Sequence, residues 1–389
     1  MLGLCEDGRK VWLEGPCVPG DRVSFEMQGK TGEVTEILEA APERREAFCP
    51  HFAACPGCQL QPLPYEKQLE LKGKKIVEAL RRLGGFSDIP FEGVVGSPEE
   101  FGTRNKLDFT VEANQVGYQT RKGLLPISTC PVGDPLLDKL IPHFLEWLGQ
   151  NPRHQLHRLM LRIDGERKSV HVLLRGILGD SEQASLLHWA ATHEIISAVS
   201  IQEDWRAPWE NLLGEGKLQF DLAGQSHLID HDAFFQVHDR LADKLVEESI
   251  QLLGPAKGAL LDLFCGVGAF TLPAQKRGWQ VMGIDSRPGK GPFTRSDLRK
   301  GIPKKCLNQK WHMVLTDPPR AGMEKDLCAQ IRDHVRPEQI LYVSCNPATL
   351  ARDLQRICAK GNYELVSVKG FDLFPQTTHV ETVALLRVT

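Results

Sequence analysis

No run of apolar residues in this chain of 389 is long enough to cross a bilayer, and its start lacks the basic-then-apolar order of a secretion signal. A membrane partner is therefore not expected, and the cytoplasm is the expected compartment. Neither sign of charge dominates, with 47 Lys and Arg against 50 Asp and Glu and a net charge of −3. Such a balance exerts no global pull on nucleic acid, so an RNA-binding surface has to be a local patch. The three-glycine fingerprint of dinucleotide-binding proteins is missing, and with it the case for NAD. The Cys-x3-Cys-x2-Cys spacing of radical enzymes is missing too. The middle of the chain holds neither a repeat nor a low-complexity segment.

What is present is ordinary globular composition, 41% hydrophobic and 25% charged, with 11 cysteines. The length exceeds what one core usually serves, so two or three domains are expected. Cysteines in this number without an export signal suit metal binding or catalysis better than disulfides. Residues 339–347, QILYVSCNP, read as a short β-branched strand running into a polar turn, with Pro347 opening a helix. In an open α/β sheet, ligands bind beyond the carboxyl ends of the strands. Cys345 stands there, next to a helix N-terminus that is expected to favour its thiolate. A small buried thiol ending a strand is the competing reading.

Upstream, residues 10–13, 22–27 and 33–38 read as strands of a small β module broken by the turn-rich GPCVPGD. Cys49, Cys55 and Cys58 follow in CPHFAACPGC, and Cys130 is the best-placed fourth ligand for a metal. On spacing alone zinc is preferred and an iron–sulfur cluster is the minority reading. An amphipathic helix ends at Leu83, with Leu69, Ile76, Leu80 and Leu83 on one stripe. Lys67, Lys72, Lys74, Lys75, Arg81 and Arg82 make a basic face read as solvated. Strands around 106–111, 116–118, 159–164 and 170–174, with a helix over about 134–149, give an α+β middle section. The last third changes character. ALLDLFCGVGAF is an apolar strand, a turn at Gly266 and Gly268, then a helix, and the next strand ends in Asp285. This βαβ unit lets the backbone approach a ligand while a carboxylate takes ribose hydroxyls, and it is read as a site for S-adenosylmethionine. A further strand ends in Asp317-Pro318-Pro319-Arg320, and strands at 363–370 and 380–388 complete the sheet.

Taken together, FFQVH, LDLFCGVGAF, TDPPRAG, ILYVSCNPATLARDL and FPQTTHVETVALL resemble the RNA uridine-5 methyltransferases over nearly the whole chain. The stretch CPHFAACPGCQLQPLPYEKQLELK resembles the iron–sulfur members of that family, and GRKVWLEGPCVPGDRV resembles the TRAM domain, an OB-like RNA-binding barrel. The resemblance implies an α/β fold: a truncated OB-like barrel over 1–42, an α+β RNA-binding domain over 43–228, and a Rossmann-like class I methyltransferase domain over 229–389. The barrel is read as truncated because the family's first strand needs residues before Met1. By the same resemblance Cys49, Cys55, Cys58 and Cys130 hold a 4Fe–4S cluster. Cys345 is the nucleophile, Glu381 the base, and Asp317 lies beside cofactor and target base. Gln236, Phe264, Gly266, Asp285 and Asp317 contact S-adenosylmethionine. The implied partner is RNA, ribosomal in preference to transfer RNA, acted on by a monomer.

Two departures from the family pattern carry expectations of their own. After Asp285 the segment SRPGKGPFTRSDLRKG replaces a helix and a strand, so part of one cofactor wall is expected to be missing. Asp285 itself stands where the family commonly has Glu, giving a shorter reach. A non-catalytic RNA-binding relative is the competing function; retention of Cys345, Asp317 and Glu381 favours an enzyme.

Overall fold

The structure, a computed structural model, describes residues 2–230 and 235–389. The first Phe of the FFQVH motif, Phe234, lies outside the described residues. An eight-stranded sheet dominates the molecule. Its order is Phe293–Arg295, Gln280–Asp285, Ala259–Leu263, Met313–Thr316, Gln339–Ser344, Glu381–Val388, Tyr363–Phe371 and Phe91–Val95. The first five strands run parallel and Glu381–Val388 runs against them. The central strands are apolar on both faces and wholly buried, as a sheet covered by helices on both sides requires. This is the arrangement of a class I methyltransferase. Because the parallel strands all end on one side, the residues that follow them are gathered at one rim.

The edge strand Phe91–Val95 comes from far upstream and pairs parallel with Tyr363–Phe371. Helix Tyr65–Arg82, which precedes it, packs on helix Pro347–Cys358 of the catalytic sheet. Its apolar stripe is realised by Ile76 and Leu80, both fully buried. Leu83, read as part of that stripe, is instead 50% exposed, because the helix ends at Arg82. A second correction concerns Lys72, read as part of a solvated basic face. It is 1% exposed, and its ammonium donates to Asp372 Oδ1 at 2.5 Å and to the Phe374 carbonyl at 3.0 Å. At three residues beyond Leu69 and four before Ile76 it falls on the buried stripe itself, where a lysine survives only with a charged partner.

A seven-stranded, mostly antiparallel sheet forms the middle of the chain, from Lys106–Glu112 to Glu210–Leu213. Helices Pro135–Gln150 and Asp180–Ala191 cover one face, burying Leu107, Phe109, Val111, Leu159 and Leu161. Asp134 caps the first of these helices by accepting from the Leu136 N–H at 2.9 Å. At the start of the chain Leu2–Leu4, Lys10–Glu14, Thr31–Glu39 and Arg22–Gln28 form a four-stranded sheet in that order. The strand Leu2–Leu4 had no counterpart in the sequence reading; it pairs antiparallel with Lys10–Trp12.

Candidate active site

Strand Ala259–Leu263 runs into the glycine turn through Phe264, a non-glycine residue at φ +64°. The N–H groups of Phe264 and Cys265 both donate to the Ile284 carbonyl, at 2.8 and 3.2 Å, which ties the turn to the next strand. The two glycines are needed for different reasons. At Gly266, φ is +52° and a Cβ would meet nothing within 4 Å, so its open side faces space for a ligand. At Gly268 a Cβ would come within 2.6 Å of the Phe293 ring, so that glycine serves packing.

Asp285 accepts from the Gly266 N–H at 3.1 Å and the Arg287 N–H at 2.7 Å, so its carboxylate braces the turn. Residues 286–292 fold back over this turn, with the Gly289 N–H donating to the Gly266 carbonyl at 3.0 Å. Of the helix and strand expected to be missing here, the strand is retained as Phe293–Arg295, parallel to Gln280–Asp285. A glycine- and proline-rich loop takes the place of the helix. Asp262, within strand Ala259–Leu263, was not singled out from sequence. It is 1% exposed; its Oδ2 accepts from the Thr271 hydroxyl, and its Oδ1 has no hydrogen-bond partner among the described residues. Burial pushes this acid up to about 8, with the charges of Asp317 and Asp285 adding to the effect. An acidic residue interrupting the apolar run ALLDL was the signal for it.

Three neighbouring strands place the expected catalytic side chains together. Asp317 follows Met313–Thr316 and its N–H donates to the Leu263 carbonyl at 3.3 Å. Cys345 follows Gln339–Ser344, one residue before Asn346, whose side chain caps helix Pro347–Cys358 by accepting from the Ala348 N–H at 3.2 Å. Glu381 opens the antiparallel strand between them and the sheet's far side, 4% exposed, with Thr382 opposite Ser344. The groups sense one another: burial, then Glu381 and Asp317, push the Cys345 thiol up to about 11, while Arg320 pulls it down. The expected thiolate-favouring effect of the helix N-terminus is thus outweighed, since burial and two carboxylates act against it. Burial pushes Asp317 up to about 7. Glu381 is raised well above the carboxylate range by burial and by the Asp317 charge.

Cationic side chains border the acidic groups. Arg320 Nη2 lies 3.4 Å from His379 Nδ1, and the Arg320 carbonyl accepts from the Thr349 hydroxyl at 3.2 Å. Burial, then Arg320, Lys75, Arg104 and Lys72, push His379 down to about 4, so it is neutral at physiological pH. Gln236 is 8% exposed, and its carbonyl accepts from the Asn105 side-chain amide at 3.0 Å.

Cys49, Cys55, Cys58 and Cys130 line a single cavity, together with Arg104, Tyr118, Ile127 and Val132. All four are free thiols raised by burial, Cys130 to about 11. The Cys130 N–H donates to Asp138 Oδ1 at 2.5 Å, and the Tyr118 hydroxyl lies 3.8 Å from the Cys130 sulfur. Among the described residues, no group of three His, Cys, Asp or Glu side chains is set to hold a single metal ion.

Comparison with known proteins places these features in context. Residues 290–389 match the family described as tRNA (Uracil-5-)-methyltransferase. An uncharacterized RNA methyltransferase of Aquifex aeolicus is 31% identical over 392 residues, covering 91% of this chain and 87% of that protein. The 23S rRNA (uracil(1939)-C(5))-methyltransferase of Vibrio parahaemolyticus is 28% identical, covering 97% of this chain and 91% of that one. Among solved structures, the Pyrococcus abyssi tRNA (uracil-54, C5)-methyltransferase in complex with S-adenosyl-L-homocysteine superposes with a TM-score of 0.75 at 25% identity, covering 99% of this chain and all of that one.

Proposed function

Since this chain belongs to the RNA (uracil-5-)-methyltransferase family, we propose that it methylates carbon 5 of one uridine in 23S rRNA through a covalent bond from Cys345 to carbon 6. The observation that carries the mechanism is the convergence of Cys345, Asp317 and Glu381 from three neighbouring strands into one electrically coupled site. Carbon 5 of uracil is a weak nucleophile. Attack of the Cys345 thiolate on carbon 6 makes an enolate of carbons 4 and 5, which is nucleophilic at carbon 5. When bound, S-adenosylmethionine supplies an electrophilic methyl group and a positive charge that offsets the surrounding carboxylates. Glu381 then removes the proton left on carbon 5, the electron pair reforms the 5,6 double bond, and the Cys345 sulfur departs. Burial, and after it the charge of Asp317, raise the Glu381 carboxyl well above the usual carboxylate range and so disfavour its charged form in the empty site.

The residues present fit the methyl donor. The open side of Gly266 would receive it, Phe264, Gln236 and Asp285 would be its contacts, and Asp317, a buried acid at the end of the neighbouring strand, would offset its positive charge. Asp285 keeps acceptor capacity for ribose hydroxyls beside its two backbone bonds, since each carboxylate oxygen can accept more than one hydrogen bond. The donor set of the cysteine cavity, four thiols with no carboxylate in the lining, supports a 4Fe–4S cluster that Cys49, Cys55, Cys58 and Cys130 would hold, with Arg104 as a counter-charge. The four-stranded sheet at the start of the chain is read as the OB-like RNA-binding module, with Trp12, 55% exposed, available for stacking. The target uridine has to leave its stack before a side chain can reach carbon 6, which favours a single-stranded loop as substrate.

Sequencing ribosomal and transfer RNA from a deletion strain tests the reading. One 5-methyluridine lost from 23S rRNA and restored by the wild-type chain is the expected result. Loss from tRNA alone moves the substrate, and loss from neither removes the proposal. Protein purified without oxygen is expected to be brown and to hold about four irons per chain. Zinc alone would remove the cluster.

A further inference from the structure

The loop that leads into Glu381 is fastened at one residue. Gln376 is fully buried and adopts φ +68°, a left-handed conformation that a side-chain-bearing residue keeps only where its surroundings impose it. Its carbonyl accepts from two successive backbone N–H groups, those of Gln59 and Leu60, both at 2.9 Å. These two residues directly follow Cys58. Its own N–H donates to Gln68 Oε1 at 3.1 Å, and Gln68 Nε2 donates back to Gln376 Oε1 at 2.9 Å. Its Nε2 donates to the Glu100 carbonyl at 3.3 Å and carboxylate at 3.2 Å. Backbone and side chain of Gln376 are thus engaged on every polar atom, and with segments remote from it in sequence.

The neighbouring residues extend the seam. The Lys72 ammonium donates to the Phe374 carbonyl at 3.0 Å, the Lys75 ammonium to the Thr378 carbonyl at 2.7 Å, and the Thr378 N–H to Gln59 Oε1 at 3.4 Å. Residues 374–380 are therefore tied to the cysteine-bearing turn and to helix Tyr65–Arg82 by hydrogen bonds, in addition to the packing of Phe374 and Val380 on the sheet to which Glu381 belongs. A base has to sit within hydrogen-bond reach of the proton it takes, so whatever fixes this loop fixes the step that Glu381 performs.

We propose that Gln376 is a positioning residue for Glu381, its side chain clamping the 374–380 loop to Gln68 of helix Tyr65–Arg82 and to Glu100 so that the carboxyl meets the proton on carbon 5. The proposal rests on the reading of Glu381 as the base. It predicts a defect confined to the later half of the reaction: attack and methyl transfer proceed, while proton removal and thiol release slow down.

The test uses the full-length enzyme with substrate RNA carrying tritium at carbon 5 of the target uridine and S-adenosylmethionine with a labelled methyl group. Gln376→Gly is the variant of choice, because glycine accepts the positive φ and only the side-chain bonds are lost. Gln68→Ala cuts the same clamp from the other side and carries the test if Gln376→Gly does not fold. The expected result is tritium release slowed about tenfold to a hundredfold relative to methyl incorporation, a methylated protein–RNA adduct on a denaturing gel, and unchanged affinity for S-adenosylmethionine. Glu381→Ala run in parallel separates the two levels. If it forms no adduct, the reading of Glu381 fails. If it does form one while the clamp variants turn over as wild type, or lose methyl incorporation and tritium release equally, Gln376 is not a positioning residue.

Discussion

Replacing Asp262 by Asn should flatten the pH dependence of folding in the ligand-free enzyme. In the fold this carboxyl titrates at about 8, against 3.8 for an ordinary aspartate, chiefly because it is buried. A raised acid favours the fold in its protonated form. Its contribution is fully present below about pH 4 and is lost as pH rises toward the folded value. At pH 7 the folded chain has to hold a proton that the unfolded chain has released. Across roughly three pH units, at about 1.4 kcal/mol each, that costs about 4 kcal/mol. Asn carries no such proton, though its amide nitrogen faces a site with no partner, which returns about 1–3 kcal/mol of the gain. Urea unfolding of both proteins from pH 5 to 8 measures the difference. The wild type should lose stability with rising pH more steeply than Asp262→Asn, by close to one proton's worth, about 1.4 kcal/mol per pH unit. Parallel curves would show that Asp262 is not the acid described.

Lys72→Met should destabilise the protein by about 3–5 kcal/mol, because it strands Asp372 in the interior, and Lys72→Met with Asp372→Leu should recover much of that. A single-variant loss below about 1 kcal/mol in chemical unfolding refutes the buried pair. The free-enzyme kcat/KM should still be climbing at pH 9, since the Cys345 thiol is held near 11. A plateau by pH 8 contradicts that. With a loop in place of the family's covering helix after Asp285, S-adenosylmethionine should bind more tightly once RNA closes the site, and by reciprocity RNA should bind more tightly with the donor present. Calorimetry giving equal affinities with and without RNA is the contrary result.

The parallel strands of the catalytic sheet were legible because each is a mainly apolar run ending in a conspicuous polar turn: FCGVG, DPPR and SCNP. That pattern alone put Cys345 and Asp317 at one rim. Phe91–Val95 was not legible. FEGVV has no alternation, and its pairing with Tyr363–Phe371 is set by a partner at the other end of the chain. Lys72 failed differently: helical spacing placed it on the apolar stripe, and its charge overrode the geometry until Asp372 came into view. The same holds for Cys345, where the local sign, a helix N-terminus, favoured the thiolate. Burial and the carboxylates of two other strands, which no local pattern reveals, reversed it. Gln376 carries no local signal of its own in the sequence. Its importance comes from contacts with residues 59, 60, 68 and 100, far away in sequence.

The most direct test of the central claim is to offer the enzyme substrate RNA in which the target uridine carries fluorine at carbon 5. Fluorine replaces the proton that Glu381 removes and cannot be abstracted as a cation, so the reaction halts after methyl transfer with sulfur still bonded to carbon 6. Proteolysis and mass spectrometry of the trapped species should place a methylated fluorouridine nucleotide on Cys345, and only when S-adenosylmethionine is present. An adduct on another of the eleven cysteines, or normal processing without any adduct, would contradict the account.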